Sequence, residues 1–317
     1  MTMSYHILHL TTPNCAISVD KGLLFCKYKS GETNMISIAD IKAIIVATHG
    51  ITFTNSSLAK LLEFNVIILH CNNSYQPTGW SLPLQRIVRP KVFYNQIARN
   101  EDFEIRLWKK VLNTKVVNQA DCLDLIGNND HNLYKLADRP LVSESNIARQ
   151  YWKHYFDEIG NPVKREHEHA EEFENICLNY GYAVIKTLIY RAIIVHGLLP
   201  ELGIHHLGKY NSTPLVYDLM EVYRPFVDFY FYKFVQDFEN DYNSKNIKEW
   251  AKYISMAIKC YRIKINEISY KIVDSVDMYV EKIADAYMKY DCSNIFLPEI
   301  KQQYLHTDKH RNREYEE

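Results

Sequence analysis

The sequence predicts an α+β fold in which a small β-rich N-terminal domain precedes a larger all-α catalytic domain. Up to about residue 80, short apolar and β-branched runs alternate with turn residues, which is the pattern of half-buried strands. From about residue 91 the apolar residues recur with the helical period instead. At 317 residues, the chain is long enough for two such domains.

Five short apolar runs predict the N-terminal strands, and turn residues bound each of them. They are Tyr5 to Leu10, Ala16 to Val19, Leu23 to Tyr28, Ala43 to Ala47 and Val66 to His70. One helix is predicted before the last run, because the Asn-Ser-Ser segment at 55–57 caps a pattern whose leucines share one face. Pro77 and Gly79 predict a loop. We therefore place the β-rich domain at residues 1–80 and a linker at 81–90.

Long amphipathic patterns predict that the second domain, residues 91–305, is helical. They cover residues 91–113, 145–157, 168–197, 215–240 and 246–290. The last residues, 306–317, are polar and mixed in charge, so we predict a disordered tail there.

The charge balance excludes a protein that binds nucleic acid through bulk charge alone. The chain has 37 basic and 38 acidic residues, which leaves a net charge near zero. Any DNA-binding surface must therefore be local, and the segment from Gln85 to Lys115 is the best candidate. Its candidate DNA contacts are Arg86, Arg89, Lys91, Arg99, Lys109 and Lys110. An ordinary solvated helix face explains the same residues equally well.

The cysteines and the apolar runs indicate the cellular compartment in which the protein works. Seven cysteines lie in otherwise apolar stretches without paired metal spacing, which is typical of reduced residues in a cytoplasmic protein. The N-terminus lacks a basic segment followed by an apolar one, and no run reaches the ~18 apolar residues of a spanning helix. The sequence therefore predicts neither export nor contact with a membrane.

Three short stretches predict a divalent metal site. They are Glu144 at the start of an apolar helical pattern, the pair His205 and His206, and the segment that contains Asp218 and Glu221. Mg²⁺ prefers carboxylate oxygens, and Mn²⁺ also accepts an imidazole nitrogen, so Glu144, His206 and Glu221 would supply a suitable set. Such an ion polarises phosphoryl oxygens and lowers the pKa of a bound hydroxyl, which makes phosphodiester chemistry the natural reaction class.

Four motifs surround these candidate ligands. They are Glu-Ser-Asn-Ile-Ala-Arg-Gln-Tyr-Trp at residues 144–152, Asn-Ile-Cys-Leu-Asn-Tyr-Gly-Tyr-Ala at 175–183, Leu-Gly-Ile-His-His at 202–206, and Asp-x-x-Glu-x-x-Arg-Pro-x-x-Asp at 218–228. Over nearly the whole chain, the set resembles the CRISPR-associated integrase of spacer acquisition, the larger of the two core adaptation proteins. Ser145 and Ile147 depart from the family's Glu-Gly-x-Ala-Ala pattern.

The resemblance implies roles for individual residues. In the family register, Glu144, His206 and Glu221 are the catalytic metal ligands, whereas a shift of one residue would make His205 the ligand instead. Four further residues lie near the site by position in the motifs: Asp218, Lys209, Arg224 and His205. Asp218 precedes Glu221 by one helical turn, so it faces the same way and would hold a water or a basic group. Lys209 matches a basic group near the scissile phosphate.

The resemblance also implies an activity and partners. The protein would insert short DNA fragments into a CRISPR array, as each 3′ hydroxyl of a duplex attacks a phosphodiester at a repeat end; with water in place of the hydroxyl it would be an endonuclease. The β-rich domain would pair two protomers into a homodimer, and a small second adaptation protein would bridge two dimers into a heterohexamer. The Leu-Pro-Leu sequence at 82–84 and the Gly-Ile-His-His segment resemble the type II branch, whose effector protein is a further partner.

Two other functions share these residues. A stand-alone metal-dependent nuclease would use the same ligands on branched or duplex DNA without the small partner. A non-catalytic DNA-binding scaffold would use the basic segment alone. If the protein is an integrase or a stand-alone nuclease, replacing Glu144, His206 or Glu221 by Ala should abolish turnover. Thermal stability should change little, since each substitution removes a ligand and not a packing group.

Overall fold

The computed structural model describes residues 6–72, 77–83, 89–129, 131–137, 144–161, 163–166, 170–206, 211–237, 246–265 and 268–305. A β-rich region comes first and a mostly helical region follows, which confirms the predicted fold class. Three predictions lie outside the described residues: the tail at 306–317, and the roles of Arg86 and Lys209.

The β-rich region contains the five predicted strands and three more. The strands are β1 (His6–Leu10), β2 (Cys15–Asp20), β3 (Leu23–Tyr28), β4 (Thr33–Ser37), β5 (Ile41–Val46), β6 (Thr52–Phe53), β7 (Ile67–Cys71) and β8 (Pro77–Ser81), with helix α1 (Asn55–Glu63) between β6 and β7. The predicted loop at Pro77 and Gly79 is therefore wrong. Pro77 belongs to β8, which lies at the edge of its sheet, where the absence of an N–H group is tolerated.

Two four-stranded sheets form this region. One has the order β1-β5-β7-β8, in which β1, β5 and β7 run parallel and β8 pairs antiparallel to β7. The other has the order β4-β3-β2-β6. In the first sheet, Ala43 and Ile45 contribute to the core shared with the helices, whereas Ile44 and Val46 contribute to a second core between the two sheets. The alternation of strand side chains thus fixes which residues meet the helical region.

The helical region surrounds one long apolar helix. Its helices are α2 (Pro90–Ala98), α3 (Glu101–Ile126), α4 (Leu133–Ala137), α5 (Glu144–Ile159), α6 (Phe173–Val195), α7 (Pro214–Met220), α8 (Arg224–Asp237), α9 (Ile247–Cys260) and α10 (Ile272–Lys289). Most residues of α6 are buried, so this helix lies at the centre of the core. The larger hydrophobic core includes residues of the first sheet as well as residues of these helices. The predicted division into two domains at residue 80 therefore stays a prediction.

Two of the predicted helical patterns are interrupted in the structure. The pattern at 91–113 is broken because Arg99 has a positive φ of 48° and Asn100 then caps α3 by accepting from the Phe103 amide at 2.9 Å. The pattern at 246–290 contains two strands, β9 (Tyr261–Ile265) and β10 (Ile268–Lys271). With β11 (Gln303–Leu305) they form a three-stranded antiparallel sheet, so the region is mostly helical and not all-α.

Candidate functional site

Two of the three predicted metal ligands meet at one lysine. Glu144 is the first residue of α5, and Glu221 lies in the 3₁₀ turn that joins α7 to α8. Lys115, on α3, directs its ammonium between them: Nζ contacts Oε1 of Glu144 and lies 2.7 Å from Oε2 of Glu221. Residues 77 positions apart in the chain therefore share a single positive charge.

Glu221 is almost completely buried, at 4% exposure; Oε1 accepts a hydrogen bond, whereas Oε2 has an ammonium beside it but accepts no hydrogen bond from the described residues. Arg224, one turn later, donates from Nε to Oε1 at 2.9 Å, while Lys115 lies beside Oε2. Burial alone would raise the pKa of this carboxyl, but Arg224 and Lys115 outweigh it and lower the pKa to about 2. Glu221 is thus a carboxylate at every pH at which the protein would work.

Asp218 anchors the loop that carries the two histidines. This carboxylate, on α7, is fully buried and accepts the backbone N–H groups of Ile204 at 2.5 Å, His205 at 3.0 Å and His206 at 3.1 Å. It also lies 2.6 Å from Nδ1 of His206. The loop approaches α7 closely at Gly203, where a Cβ would lie 2.7 Å from Cβ of Pro214 and 3.0 Å from Oδ2 of Asp218. Only glycine fits there.

The rings of His205 and His206 point in different directions. His205 stacks on Trp108 with ring centroids 4.4 Å apart and an interplanar angle of 6°, whereas His206 meets the same indole edge-on at 5.7 Å and 87°. The hydrogen bond to Asp218 is the main cause that raises the pKa of His206, and the charges of Glu221 and Glu144 raise it further. With Nδ1 bound to Asp218, the lone pair of the neutral His206 ring is on Nε2.

The donor set fits a hard divalent cation in its chemistry. Two carboxylates and an imidazole suit Mn²⁺, and the carboxylates suit Mg²⁺. Within the described parts of the chain, no three His, Cys, Asp or Glu side chains lie close enough together to hold such an ion as they stand. The Lys115 ammonium lies between the two carboxylates, so an ion bound by both would have to take its place.

The predicted DNA contacts divide into two groups. Lys91, Lys109 and Lys110 are exposed, as a DNA contact requires. Arg89 instead pairs with Asp285 on α10 at 2.6 Å. Arg99 pairs with the buried Glu104 at 2.7 Å and donates to the backbone oxygen of Gly203 at 3.2 Å, next to the histidine loop.

In the sequence, Lys115 is the last residue of the candidate DNA-binding segment, Gln85 to Lys115. Its position between the two carboxylates was not predicted. A signal was present in the spacing: Leu107, Val111 and Lys115 are four residues apart on α3, and the first two are fully buried. A lysine on the apolar face of a helix is usually paired. Trp108, whose ring contacts both histidine rings, was also not predicted as part of the site. A tryptophan on a helix serves in core packing as well as in binding, so its residue type alone does not indicate a role.

A buried network supports α5 and α8 behind the carboxylates. Asp228, on α8, accepts a hydrogen bond from the hydroxyl of Tyr151 at 2.7 Å and another from Tyr182. Burial raises the pKa of Asp228 to about 6, against the lowering effect of these two hydroxyls. The guanidinium of Arg224 lies 4.9 Å from the centre of the Tyr182 ring, so the residue that holds Glu221 also packs on this network.

A cleft of about 480 Å³ runs along α5, beginning at Ser145, the residue after Glu144. Trp152 and Phe156 provide an apolar floor. Its charged lining residues are Arg149, Lys153, Asp157, Lys164 and Arg165. None of the four basic residues was among the predicted DNA contacts, because they lie in two separate segments of the sequence that the fold brings together.

No helix in the described ranges is both long and apolar enough to span a bilayer. The cysteines at 15, 26, 71, 122, 177, 260 and 292 are all free thiols.

The sequence matches one protein family over most of its length. The family model described as "CRISPR associated protein Cas1" matches residues 8–255. The CRISPR-associated endonuclease Cas1 of Neisseria meningitidis serogroup C (strain 8013) is 26% identical over 280 residues, which cover 86% of this chain and 89% of the relative. CRISPR-associated endonuclease Cas1 2 of Saccharolobus solfataricus is 25% identical over 236 residues, which cover 72% of this chain and 74% of that protein.

Solved structures share the same fold. A casposase bound to integration product has a TM-score of 0.80 and 16% identity, over 96% of this chain and 97% of that chain. A CAS1 protein from Thermotoga maritima has a TM-score of 0.74 and 16% identity, over 92% of this chain and 98% of the other. A chain of a Cas6-RT-Cas1–Cas2 complex has a TM-score of 0.73, over 94% of this chain and 36% of that one.

Proposed function

Because the chain belongs to the CRISPR-associated protein Cas1 family, we propose that it is a divalent-metal-dependent DNA integrase and endonuclease of CRISPR adaptation. Its reaction would join short DNA fragments to the ends of a CRISPR repeat. The observation that best supports this function is the convergence of Glu144 and Glu221 on one positive charge, together with a His206 ring that Asp218 orients and whose pKa the charges of both glutamates help to raise. The casposase with its integration product, which has the same fold, is consistent with this reaction.

The proposed reaction is a transesterification. The 3′ hydroxyl oxygen of the incoming fragment forms a bond to a repeat-end phosphorus while the bond from that phosphorus to the leaving 3′ oxygen breaks. The attacking hydroxyl loses its proton and the leaving oxygen gains one, so the number of phosphodiester bonds is unchanged and no nucleotide cofactor is needed. Water in place of the hydroxyl gives strand cleavage, the endonuclease activity.

The side chains of the site would divide the work. Glu144, Glu221 and Nε2 of His206 would hold Mg²⁺ or Mn²⁺, which when bound supplies Lewis acidity at the phosphoryl oxygen and the attacking hydroxyl. Asp218 would keep the proton of His206 on Nδ1, so that Nε2 presents its lone pair. Arg224 keeps Glu221 ionised and fixes its direction through the bond to Oε1.

Two surfaces are suited to DNA. The exposed Lys91, Lys109 and Lys110 would contact phosphates of a duplex. The cleft along α5 combines basic residues with the Trp152 ring, and aromatic rings with cations are the usual platform for an unpaired strand. Because the cleft begins beside Glu144, we propose that it guides a strand end toward the carboxylates. Lys209 remains a further candidate for the scissile phosphate.

The partners are proposed from relatives. One structural neighbour is a complex that contains both Cas1 and Cas2, and we propose that a small second adaptation protein binds this chain as well. A homodimer formed through the β-rich region, two of which make a heterohexamer with that partner, is the assembly we expect. The type II branch, with its effector protein as a partner, is proposed on the sequence resemblance, and the free cysteines support a cytoplasmic location.

The function can be tested with a labelled duplex that has free 3′ hydroxyls, a supercoiled plasmid carrying the repeat array, and Mn²⁺. We expect label joined to the plasmid at a repeat boundary, dependent on the small partner and absent with Glu221→Ala. Glu63→Ala, which removes an exposed carboxylate on α1, is the control that should keep full joining.

Other outcomes would select the alternatives. Cleavage without joining, indifferent to the partner and to the repeat, would identify a stand-alone nuclease. DNA binding that is equal in the wild type and Glu221→Ala, with no metal-dependent product from either, would identify a scaffold.

A further inference from the structure

Lys115 is a buried cation with an unusual position. It is only 8% exposed, and it extends from the apolar face of α3 so that its ammonium alone enters the site. A buried charge is tolerated only when it is paired, and here two carboxylates from different helices pair with it. The two carboxylates therefore hold the Lys115 side chain in place through its ammonium group.

Among the described residues, two cations contact Glu221, and of these only Lys115 also contacts Glu144. Arg224 approaches Glu221 from the next turn of the chain and binds Oε1, whereas Lys115 lies beside the other oxygen, Oε2. It can therefore stay in place when Oε2 binds another cation. The Lys115 ammonium, in contrast, occupies the only point at which the two carboxylates are joined in the described structure.

We propose that Lys115 is the internal counter-ion of this site: it holds Glu144 and Glu221 together in the metal-free protein, and a divalent cation must displace it in order to bind. This inference rests on the proposed metal site. A lysine suits such an exchange, since its ammonium is a compact point charge on a flexible stem that can withdraw without moving α3.

The exchange has two physical consequences. In the metal-free protein the ammonium cancels the repulsion between two carboxylates, so the ends of α5 and α8 stay together without the ion. The same pairing opposes the metal, because the free energy of metal binding must cover the separation of Lys115 from both partners. Removing the charge of Lys115 should therefore lower the thermal stability of the metal-free protein and raise its affinity for the metal ion.

The test is a calorimetric titration of Mn²⁺ into the full chain without DNA. We expect Lys115→Met and Lys115→Gln to bind Mn²⁺ at least about tenfold more tightly than the wild type, since each removes the competing charge. Two variants with different shapes are used so that a folding defect in one does not decide the result. The control is Lys252→Met, which removes an exposed lysine on α9 and should bind as the wild type does.

Thermal unfolding supplies a second measurement. With a chelator present, Lys115→Met should unfold at a lower temperature than the wild type. Saturating Mn²⁺ should raise the unfolding midpoint temperature of Lys115→Met by more than it raises that of the wild type. Lys252→Met should show the wild-type midpoint and the wild-type increment.

The outcomes separate this inference from the metal site itself. If the wild type binds Mn²⁺, Glu221→Ala does not, and the Lys115 variants bind equally or more weakly, the counter-ion proposal is wrong while the metal site stands. If neither the wild type nor the Lys115 variants bind Mn²⁺, both proposals are wrong. Binding that is seen in the variants but is too weak to detect in the wild type would support the displacement directly.

Discussion

Asp218 holds His206 twice, at the backbone amide and at Nδ1, the latter at 2.6 Å. The same carboxylate accepts the amides of Ile204 and His205. A fully buried carboxylate thus fixes both the loop and the orientation of one ring within it. The sequence predicted that Asp218 faces the same way as Glu221 and holds a water or a basic group; in the structure its partner is His206, which it orients.

Replacing Asp218 should damage the site without removing a proposed ligand. In Asp218→Asn, the amide can no longer accept from all four donors, so we expect unfolding to require about 1 to 3 kcal/mol less free energy. Mn²⁺ affinity should fall about 10- to 100-fold, because His206 loses the partner that sets its tautomer. Chemical denaturation and calorimetry measure the two effects.

Asp20→Asn is the matched control, since Asp20 is an exposed carboxylate at the end of β2. It should change neither quantity. A normal Mn²⁺ affinity in Asp218→Asn would mean that His206 does not need this orientation.

The two histidines should differ sharply on substitution. His206→Ala should abolish Mn²⁺ binding and strand transfer, because its Nε2 is the proposed donor. His205→Ala should keep measurable binding and transfer, since this ring lies flat on Trp108. The reverse result would establish the register in which His205 is the ligand, and Trp108 fluorescence would report whether the indole has moved in either variant.

The periodicity of the sequence predicted most of the fold, and its errors arose where the tertiary structure decides the local conformation. The alternation of strand residues and the 3.6-residue spacing of helices are set by neighbours in the chain, so β1, β5 and α6 could be predicted. The break at Arg99 and the strand at Pro77 depend on the tertiary structure: Arg99 donates to the distant backbone oxygen of Gly203, and Pro77 lies on the edge strand of a sheet. Neither is visible in a window of sequence.

The candidate site was predictable only in part. Motifs selected Glu144, His206 and Glu221 as candidate ligands, because ligand chemistry restricts the residue types that can serve. Lys115 and Arg99 could not be separated from the exposed lysines by residue type, since a basic side chain that pairs inside the protein and one that contacts DNA look alike in sequence. Burial distinguishes them.

The exposed lysines of α3 should contribute to DNA affinity through charge. In the double variant Lys109→Ala, Lys110→Ala, binding to a duplex should weaken, and the slope of log K against log salt should become shallower by about 1 to 2. Fluorescence anisotropy at several salt concentrations measures the slope. Lys60→Ala, an exposed lysine on α1, is the control that should leave it unchanged.

The same slope in the double variant and the wild type would show that these lysines form only a solvated helix face. The double variant should unfold like the wild type in either case, since both side chains are exposed.

The structure revises the expectation that removing a ligand leaves stability unchanged. Glu144 is partly exposed, with 37% of its side chain accessible, so its removal fits that expectation. Glu221 is buried between Lys115 and Arg224, and its removal leaves the buried Lys115 and the half-buried Arg224 without this carboxylate. Without metal, Glu221→Gln should therefore lower the free energy of unfolding at neutral pH by roughly 3 kcal/mol.

The pH dependence of that difference identifies its cause. The pKa of Glu221 is lowered to about 2 in the folded protein, below its unfolded value, so the contribution is complete at neutral pH and is lost as the pH falls toward 2. Urea unfolding with a chelator should give a constant difference between wild type and Glu221→Gln from about pH 8 to about pH 5, and a shrinking one below. A difference that already vanishes near pH 7 would mean that burial dominates and that Lys115 and Arg224 do not hold this carboxylate.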